Sequence, residues 1–341
     1  MKFLKVGFLL CFLILFLSSW FLFGKTLKQG AIFFFNFLKP PAENLLYKDG
    51  RTNVLLLGMA GGKQPGSDLT DTLIFVSLDI KNGDMVLLSL PRDIWSTTLK
   101  AKINTAYHYG REKGEGLLLA KQVVEEIVAQ PIHYTFLLDF QGFVRTIDLL
   151  GGIRVKVDRS FDDYQYPIAG KENDLCNGDP KLQCRYEHLH FEAGWQEMDG
   201  QTALKFVRSR NAKGEEGTDF ARSQRQQKVL TALKEKIISP QILTNLEKIK
   251  NLLEIPKIYL KSEPSLNDAE LAAFTNLLWR FLWQQSTLRT LTLDTGSEEN
   301  PGFLINPPIS SQYQNQWVLL PRSGNWQEFQ NYFKQKLNNG Y

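Results

Sequence analysis

Residues 53–90 read NVLLLGMAGGKQPGSDLTDTLIFVSLDIKNGDMVLLSL. Three runs within them, 53–57, 73–78 and 85–90, are short and almost wholly apolar. Short apolar runs bounded by turn residues read as buried strands. Gly58, Gly61 and Gly62 make the first exit a flexible loop, and Asn82-Gly83 sets a tight turn between the second and third runs. Those two therefore read as a hairpin. Working outward, residues 116–129 place Leu119, Val123 and Ile127 on one helical face, and Pro131 ends that helix. Residues 133–138 read as a strand, 140–150 as a helix closed by Gly151-Gly152, and 153–157 as another strand. Strands alternating with helices predict an α/β domain, a mixed sheet in a layered α-β-α arrangement.

Beyond that the pattern thins. Residues 158–192 are polar and irregular. Helices are expected over 200–207, over 220–239 (stopped by Pro240), over 267–283 and over 325–337, with strands at 288–293 and 317–320. No internal repeat or long low-complexity linker interrupts the chain, so one domain is the simplest expectation.

The chain has 341 residues, 22% charged and 43% hydrophobic, an ordinary globular balance. A net charge of +4 gives no argument for nucleic-acid binding. Residues 6–23, VGFLLCFLILFLSSWFLF, carry no charge. As a helix they would span roughly 27 Å, close to the ~30 Å of a bilayer core. Ser18, Ser19 and bulky Trp20 give no A-x-A-like cleavage site, which favours an uncleaved transmembrane anchor over a signal peptide. The expected organisation is a short cytoplasmic 1–5, an anchor at 6–23, a juxtamembrane linker at 24–42 and an extracytoplasmic domain at 43–341. That domain divides into a core, 53–239, and a C-terminal part, 240–341. The expected location is the cell membrane, with a single pass. Residues 31–38, AIFFFNFL, are too short to span and read as a juxtamembrane or packed segment.

Cys176 and Cys184 flank a loop rich in turn signals, and a disulfide between them suits an oxidising compartment. A metal site with His188 and His190, or a free inert pair, are the other readings. The spacing matches no standard zinc pattern.

The stretch with most chemistry is residues 206–230, FVRSRNAKGEEGTDFARSQRQQKVL. If extended, Arg208 and Arg210 project to one side. Asp219 opens the following helix, with Arg222, Arg225 and Gln226 in its first turns. At 100° per residue, Val229, Leu233 and Ile237 form an apolar stripe that Gln226 and Arg222 continue toward the helix start. An inward arginine needs a partner, and a helix N-terminus favours an anion, so the stretch reads as a phosphate site. An exposed charged helix start, capped by Asp219, is the plainer alternative and accounts well for Arg225. Asp68 and Asp71, beside the glycine-rich loop, are candidate Mg²⁺ ligands or ordinary turn residues. Pro91 ends the third strand and lets Arg92 project from it. No Gly-Lys-Ser/Thr, G-x-S-x-G or H-E-x-x-H motif is present.

In order, NVLLLG, LTDTLIFVSLD, LLSLPRD, KINTAYHYG, FQGFVRTIDLLGGIRVKV, MDGQTALKFVRSR and DFARSQRQQKVLTALKEK resemble the LytR-CpsA-Psr family of bacterial cell-envelope enzymes, from about residue 53 to 236. The resemblance implies an extracytoplasmic phosphotransferase that moves a phosphate-linked glycan from a polyprenyl-pyrophosphate carrier to a cell-wall acceptor, usually peptidoglycan, with Mg²⁺ or Mn²⁺. It implies that Asp71, Arg92 and Asp219 are catalytic. It assigns the pyrophosphate to Arg92, Arg208, Arg210, Arg222 and Gln226, and the metal to Asp71. The family's Asp-x-Arg after the first strand is replaced by Ala60 and Gly62, and Asp68 is the carboxylate in the same loop that would stand in. A lipid-pyrophosphate hydrolase and a non-catalytic binding module for polyprenyl-phosphate lipids are the competing functions.

Overall fold

The computed structural model describes residues 27–61, 66–168, 170–171, 174–209, 211–217, 219–237, 239–283, 286–296 and 299–338. The apolar run 6–23 lies outside them. Among the described residues no helix is long and apolar enough to cross a membrane. The chain forms two compact units, one of residues 27–59, 68–138 and 261–341, the other containing 60–67 and 139–260.

The first unit is built on a six-stranded sheet. Its strands are β1 (Arg51–Met59), β2 (Thr70–Asp79), β3 (Met85–Leu90), β4 (Tyr134–Asp139), β9 (Leu260–Glu263) and β10 (Leu288–Thr292), in spatial order β9-β4-β1-β2-β3-β10. β2 and β3 pair antiparallel, as the Asn82-Gly83 turn predicts, β1 pairs antiparallel with β2, and β10 runs parallel to β3. The sheet is therefore mixed.

Burial explains why the strands read as unbroken apolar runs. Leu55, Leu57, Leu73, Phe75, Val86 and Leu88 point into one core with α2 (Ala106–Arg111), α3 (Gly116–Val128) and α9 (Gln327–Asn338). On β4, Tyr134 and Phe136 meet Phe274 of α8 (Asp268–Trp283) edge-on, at 5.0 and 6.0 Å between ring centroids. Strands covered on both faces need no polar alternation. α1 (Leu27–Leu38) packs on α8 through the buried Phe33, and Asn276 donates its side-chain amide to the Phe37 carbonyl at 2.6 Å.

The second unit carries α4 (Phe140–Leu150), β5 (Ile153–Val157), β6 (Phe161–Pro167), β7 (Tyr186–Phe191), β8 (Gly194–Met198), α5 (Gly200–Arg208), α6 (Asp219–Ile237) and α7 (Leu246–Tyr259). Two of these elements, β6 and β7, lie where the sequence reads as irregular. They pair antiparallel and bury Phe161, Tyr166, Leu189 and Phe191. Their alternation is masked by Asp163, a charged residue that is fully buried. In the first unit, the strand expected at 317–320 shrinks to a two-residue ribbon, Leu320–Pro321 on Leu304–Ile305.

Gly200, the first residue of α5, shows why that position needs glycine. A Cβ there would lie 2.2 Å from the Val144 carbonyl oxygen and 2.6 Å from its Cα. Backbone of α4 cannot move aside as a side chain can. Gly200→Ala is expected to destabilise by about 1–3 kcal/mol through overpacking, read as a lower denaturation midpoint. An unchanged midpoint would show that α4 and α5 can separate freely.

Candidate functional site

Antiparallel register places the first pair of site residues. Leu73 faces Leu90 across β2 and β3, so the next position down on each side brings residue 72 opposite 91 and 71 opposite 92. Pro91 ends the ladder, and Arg92 Nη1 reaches Asp71 Oδ1 at 2.6 Å. On its other side β2 pairs Thr72 with Gly58 and Thr70 with Met59, so Asp71 is the unpaired residue of a β-bulge. A bulge re-aims one side chain while the strands on either side stay paired. Asp71 is aimed this way at Arg92.

The pair belongs to a chain of charges. Arg92 Nε lies 3.6 Å from Asp93, and Asp93 Oδ1 accepts from Lys102 Nζ at 2.7 Å. Burial works against the Arg92 charge most strongly, but Asp71 and then Asp93 outweigh it and raise the guanidinium pKa. Arg92 is thus held as a cation, with its side chain still 42% exposed for a ligand.

Asp68 is bound differently. Its Oδ2 meets both His108 Nδ1 and Arg111 Nη1 at 2.8 Å, and the residue is only 8% exposed. Asn104 ties the same strand ends together through its backbone: its carbonyl accepts from Thr70 Oγ1 and its N–H donates to the Arg92 carbonyl. Its buried Oδ1 has no hydrogen-bond partner among the described residues. Sequence reasoning missed Lys102, His108, Arg111 and Asn104, although all lie in or beside the KINTAYHYG segment. That segment's only sequence signal was its place in the motif order.

A divalent metal would have Asp71 and Asp68 as its candidate carboxylates, each already paired with a cationic side chain or histidine. Among the described residues the only group of three potential protein ligands within bonding reach is Asp174, Cys176 and Cys184. Asp71 and Asp68 each keep one oxygen clear of the contacts above. Mg²⁺ is often held by one or two carboxylates with water and substrate phosphate completing the shell, and these are the carboxylates present to serve.

In the second unit the arginines behave unevenly. Arg208 ends α5 rather than lying in an extended segment, so the side-by-side projection with Arg210 does not apply. Its guanidinium lies over the Phe140 ring, 5.7 Å from the centroid. Arg210 lies outside the described residues. Asp219, Arg222 and Gln226 lie on α6, with their side chains outside the described part.

Arg225 is the correction. It is not part of an exposed helix start but 3% exposed. Its Nη2 donates to the Ser209 carbonyl at 2.7 Å, Nε to the Phe206 carbonyl at 3.2 Å, and Nη1 to Glu216 Oε2 at 2.8 Å. The guanidinium also lies 4.7 Å from the Phe161 ring centroid. Stepping back from Val229 by four residues gives Arg225 and Ala221, and both are buried. From the other side Asp163 Oδ2 accepts from Ser209 Oγ at 2.7 Å and from Asn211 N at 3.2 Å. Arg225 and Asp163 together fix the backbone on both sides of position 210.

Cys176 and Cys184 are brought to bonding distance, with Cα atoms 5.5 Å apart. His188 and His190 turn elsewhere. Both face Asp162 Oδ1, at 2.7 and 2.8 Å, and His190 Nε2 meets Glu192 at 3.0 Å. The hydrogen bonds to Asp162 and then to Glu192 raise the His190 pKa. A group with a raised folded-state pKa stabilises fully below its unfolded value, about 6.5, and loses that contribution as pH climbs through the folded value. An NMR titration should place the His190 midpoint above that of a free imidazole, and Asp162→Asn should lower it. A midpoint unmoved by that substitution would mean the contact does not persist in solution.

Residues 38–278 match the LytR_cpsA_psr family. The chain is 32% identical over 186 residues to the polyisoprenyl-teichoic acid–peptidoglycan teichoic acid transferase TagV of Bacillus subtilis, covering 53% of this chain and 42% of that protein. It is 30% identical over 217 residues to the TagU transferase of Oceanobacillus iheyensis, covering 62% and 59%. The chain thus spans about half the length of the curated relatives it matches. A crystal structure of B. subtilis TagV aligns with a TM-score of 0.47 at 24% identity, over 86% of this chain and 99% of that one. With its family match running through most of both units, the chain belongs to the LytR_cpsA_psr family.

Proposed function

We propose that the protein transfers a phosphate-linked glycan from a polyprenyl-pyrophosphate carrier to a cell-wall acceptor such as peptidoglycan. The observation that carries this is the Asp71–Arg92 pair, a guanidinium kept charged and partly open at the end of a strand. Family membership and the relatives' names as teichoic acid transferases point the same way.

In this reading an acceptor hydroxyl oxygen bonds to the glycan-side phosphorus. The bond from that phosphorus to the bridging oxygen breaks, and polyprenyl phosphate leaves with the electron pair. The hydroxyl proton passes to whichever carboxylate is not bound to metal, Asp71 or Asp219. Arg92 meets the charge that gathers on the leaving phosphate, and Arg208, Arg210, Arg222 and Gln226 are the further pyrophosphate-binding residues of this reading. Mg²⁺ or Mn²⁺, held by Asp71 and Asp68, would add charge neutralisation there.

A membrane setting follows from the lipid carrier and from residues 6–23 as an anchor. The outer face of α1 supports it. Phe33 is the buried side, and Ile32, Phe34, Phe35 and Leu38 fall on the opposite arc at 48–66% exposure. An apolar outer face so close to the anchor suits the bilayer surface.

The test is transfer of label from a polyprenyl-pyrophosphate glycan to peptidoglycan fragments by full-length protein with Mg²⁺. Labelled fragments support the proposal. Free glycan phosphate would instead favour a hydrolase, and tight lipid retention without turnover a binding module.

A further inference from the structure

A cavity of about 410 Å³ in the first unit has a lining that does not include the charged pair and is of a different kind. Trp95, Tyr313 and Trp326 supply its aromatic walls, and Glu126, Gln312 and Asn325 its polar groups. Trp95 is the most enclosed, 7% exposed, and meets Tyr313 edge-on at 5.5 Å. Glu126, Gln312 and Asn325 are exposed. Glu126 accepts from Thr98 Oγ1 at 3.0 Å, and Asn325 Oδ1 accepts from Gln327 N at 2.9 Å. Both side chains keep further hydrogen-bonding capacity, since a carboxylate accepts several bonds and an amide also donates two.

From this lining the geometry points to a glycan subsite, a cleft that takes one or two pyranose rings of the transferred or accepting polysaccharide. A pyranose has an apolar face of C–H groups and a rim of hydroxyls. The first suits a partly exposed indole or phenol ring, and the second suits carboxylate and amide groups at a cleft edge. The volume lies within the ~300–1,000 Å³ usual for small-ligand sites. A hydrocarbon chain would leave the three polar groups unmatched. A phosphate would meet Glu126 and no lysine or arginine in the lining.

Position supports the same occupant. Trp95 follows Arg92 by three residues, at most about 10 Å of extended chain. The backbone there is rigid, because Trp95 N donates to the Leu319 carbonyl and Leu319 N to the Asp93 carbonyl, both at 3.0 Å. Gln312, Tyr313, Asn325 and Trp326 lie beyond residue 278, where the family match stops, so this cleft is not implied by family membership. The inference rests on the proposed transfer reaction for its choice of glycan.

The experiment uses full-length protein in detergent and two measurements. Calorimetry with soluble N-acetylglucosamine–N-acetylmuramic acid oligosaccharides reads binding without donor lipid, so it stands even if transfer fails. Steady-state transfer assays then read KM and kcat for acceptor and donor separately. Trp326→Ala and Gln312→Ala are compared, the second because an exposed glutamine carries little of the fold, with a thermal melt on each. Roughly tenfold weaker oligosaccharide binding and a raised acceptor KM at unchanged kcat would place the acceptor in the cleft. A raised KM for the glycan-bearing donor, with unchanged affinity for polyprenyl pyrophosphate lacking glycan, would place the donor glycan there. Wild-type binding and KM values for both substrates in both variants would overturn the inference.

Discussion

Arg225→Met is expected to cost about 3–5 kcal/mol of stability, the penalty for breaking a buried ion pair by removing one partner. The methionine would fill much of the volume but return none of the hydrogen bonds. The carbonyls of Phe206 and Ser209 and the Glu216 carboxylate would lose their donor inside the protein. Arg225→Lys should recover only part of the loss, because one ammonium cannot span partners that a planar fork reaches on three sides. Chemical denaturation of the solubilised full chain, followed by tryptophan fluorescence, reads the shift. A loss below about 1 kcal/mol would mean that the turn from Phe206 to Asn211 holds without its central cation, contrary to the burial of Arg225.

Arg92→Ala should lower the turnover of glycan transfer about 10²–10³-fold, as loss of a charge-stabilising donor commonly does. The fold should survive, since the side chain is 42% exposed and sits past the end of the β2–β3 ladder. Arg92→Lys keeps the charge without the fork and should stay well below wild type. The melting temperature separates the two causes of a slow variant. A turnover within about tenfold of wild type in a folded Arg92→Ala protein would remove Arg92 from the chemistry.

The sheet was legible because its central strands are covered on both faces and appear as plain apolar runs. The Asp71–Arg92 contact was only half legible. Residue types and motif order named both partners, but the bulge that aims Asp71 depends on the Gly58–Met59 register of another strand. Arg225 was misread because helical phasing says which side of a helix a residue lies on and nothing of the partners waiting there. Its burial depends on carbonyls and a glutamate up to nineteen residues away in sequence. β6 and β7 were missed because Asp163 interrupts their alternation, and its own partners, Ser209 and Asn211, lie far along the chain.

Both margins of the central sheet, β9 and β10, are supplied by residues after 259. During synthesis, β4 and β3 therefore emerge with open hydrogen-bonding edges on very apolar strands, and stay so until residues 260–292 arrive. Such edges are prone to pair with another chain. The yield of folded protein would then hinge on how quickly the last quarter of the polypeptide is delivered. A nascent chain stalled before residue 288 would become aggregate, not a slower enzyme.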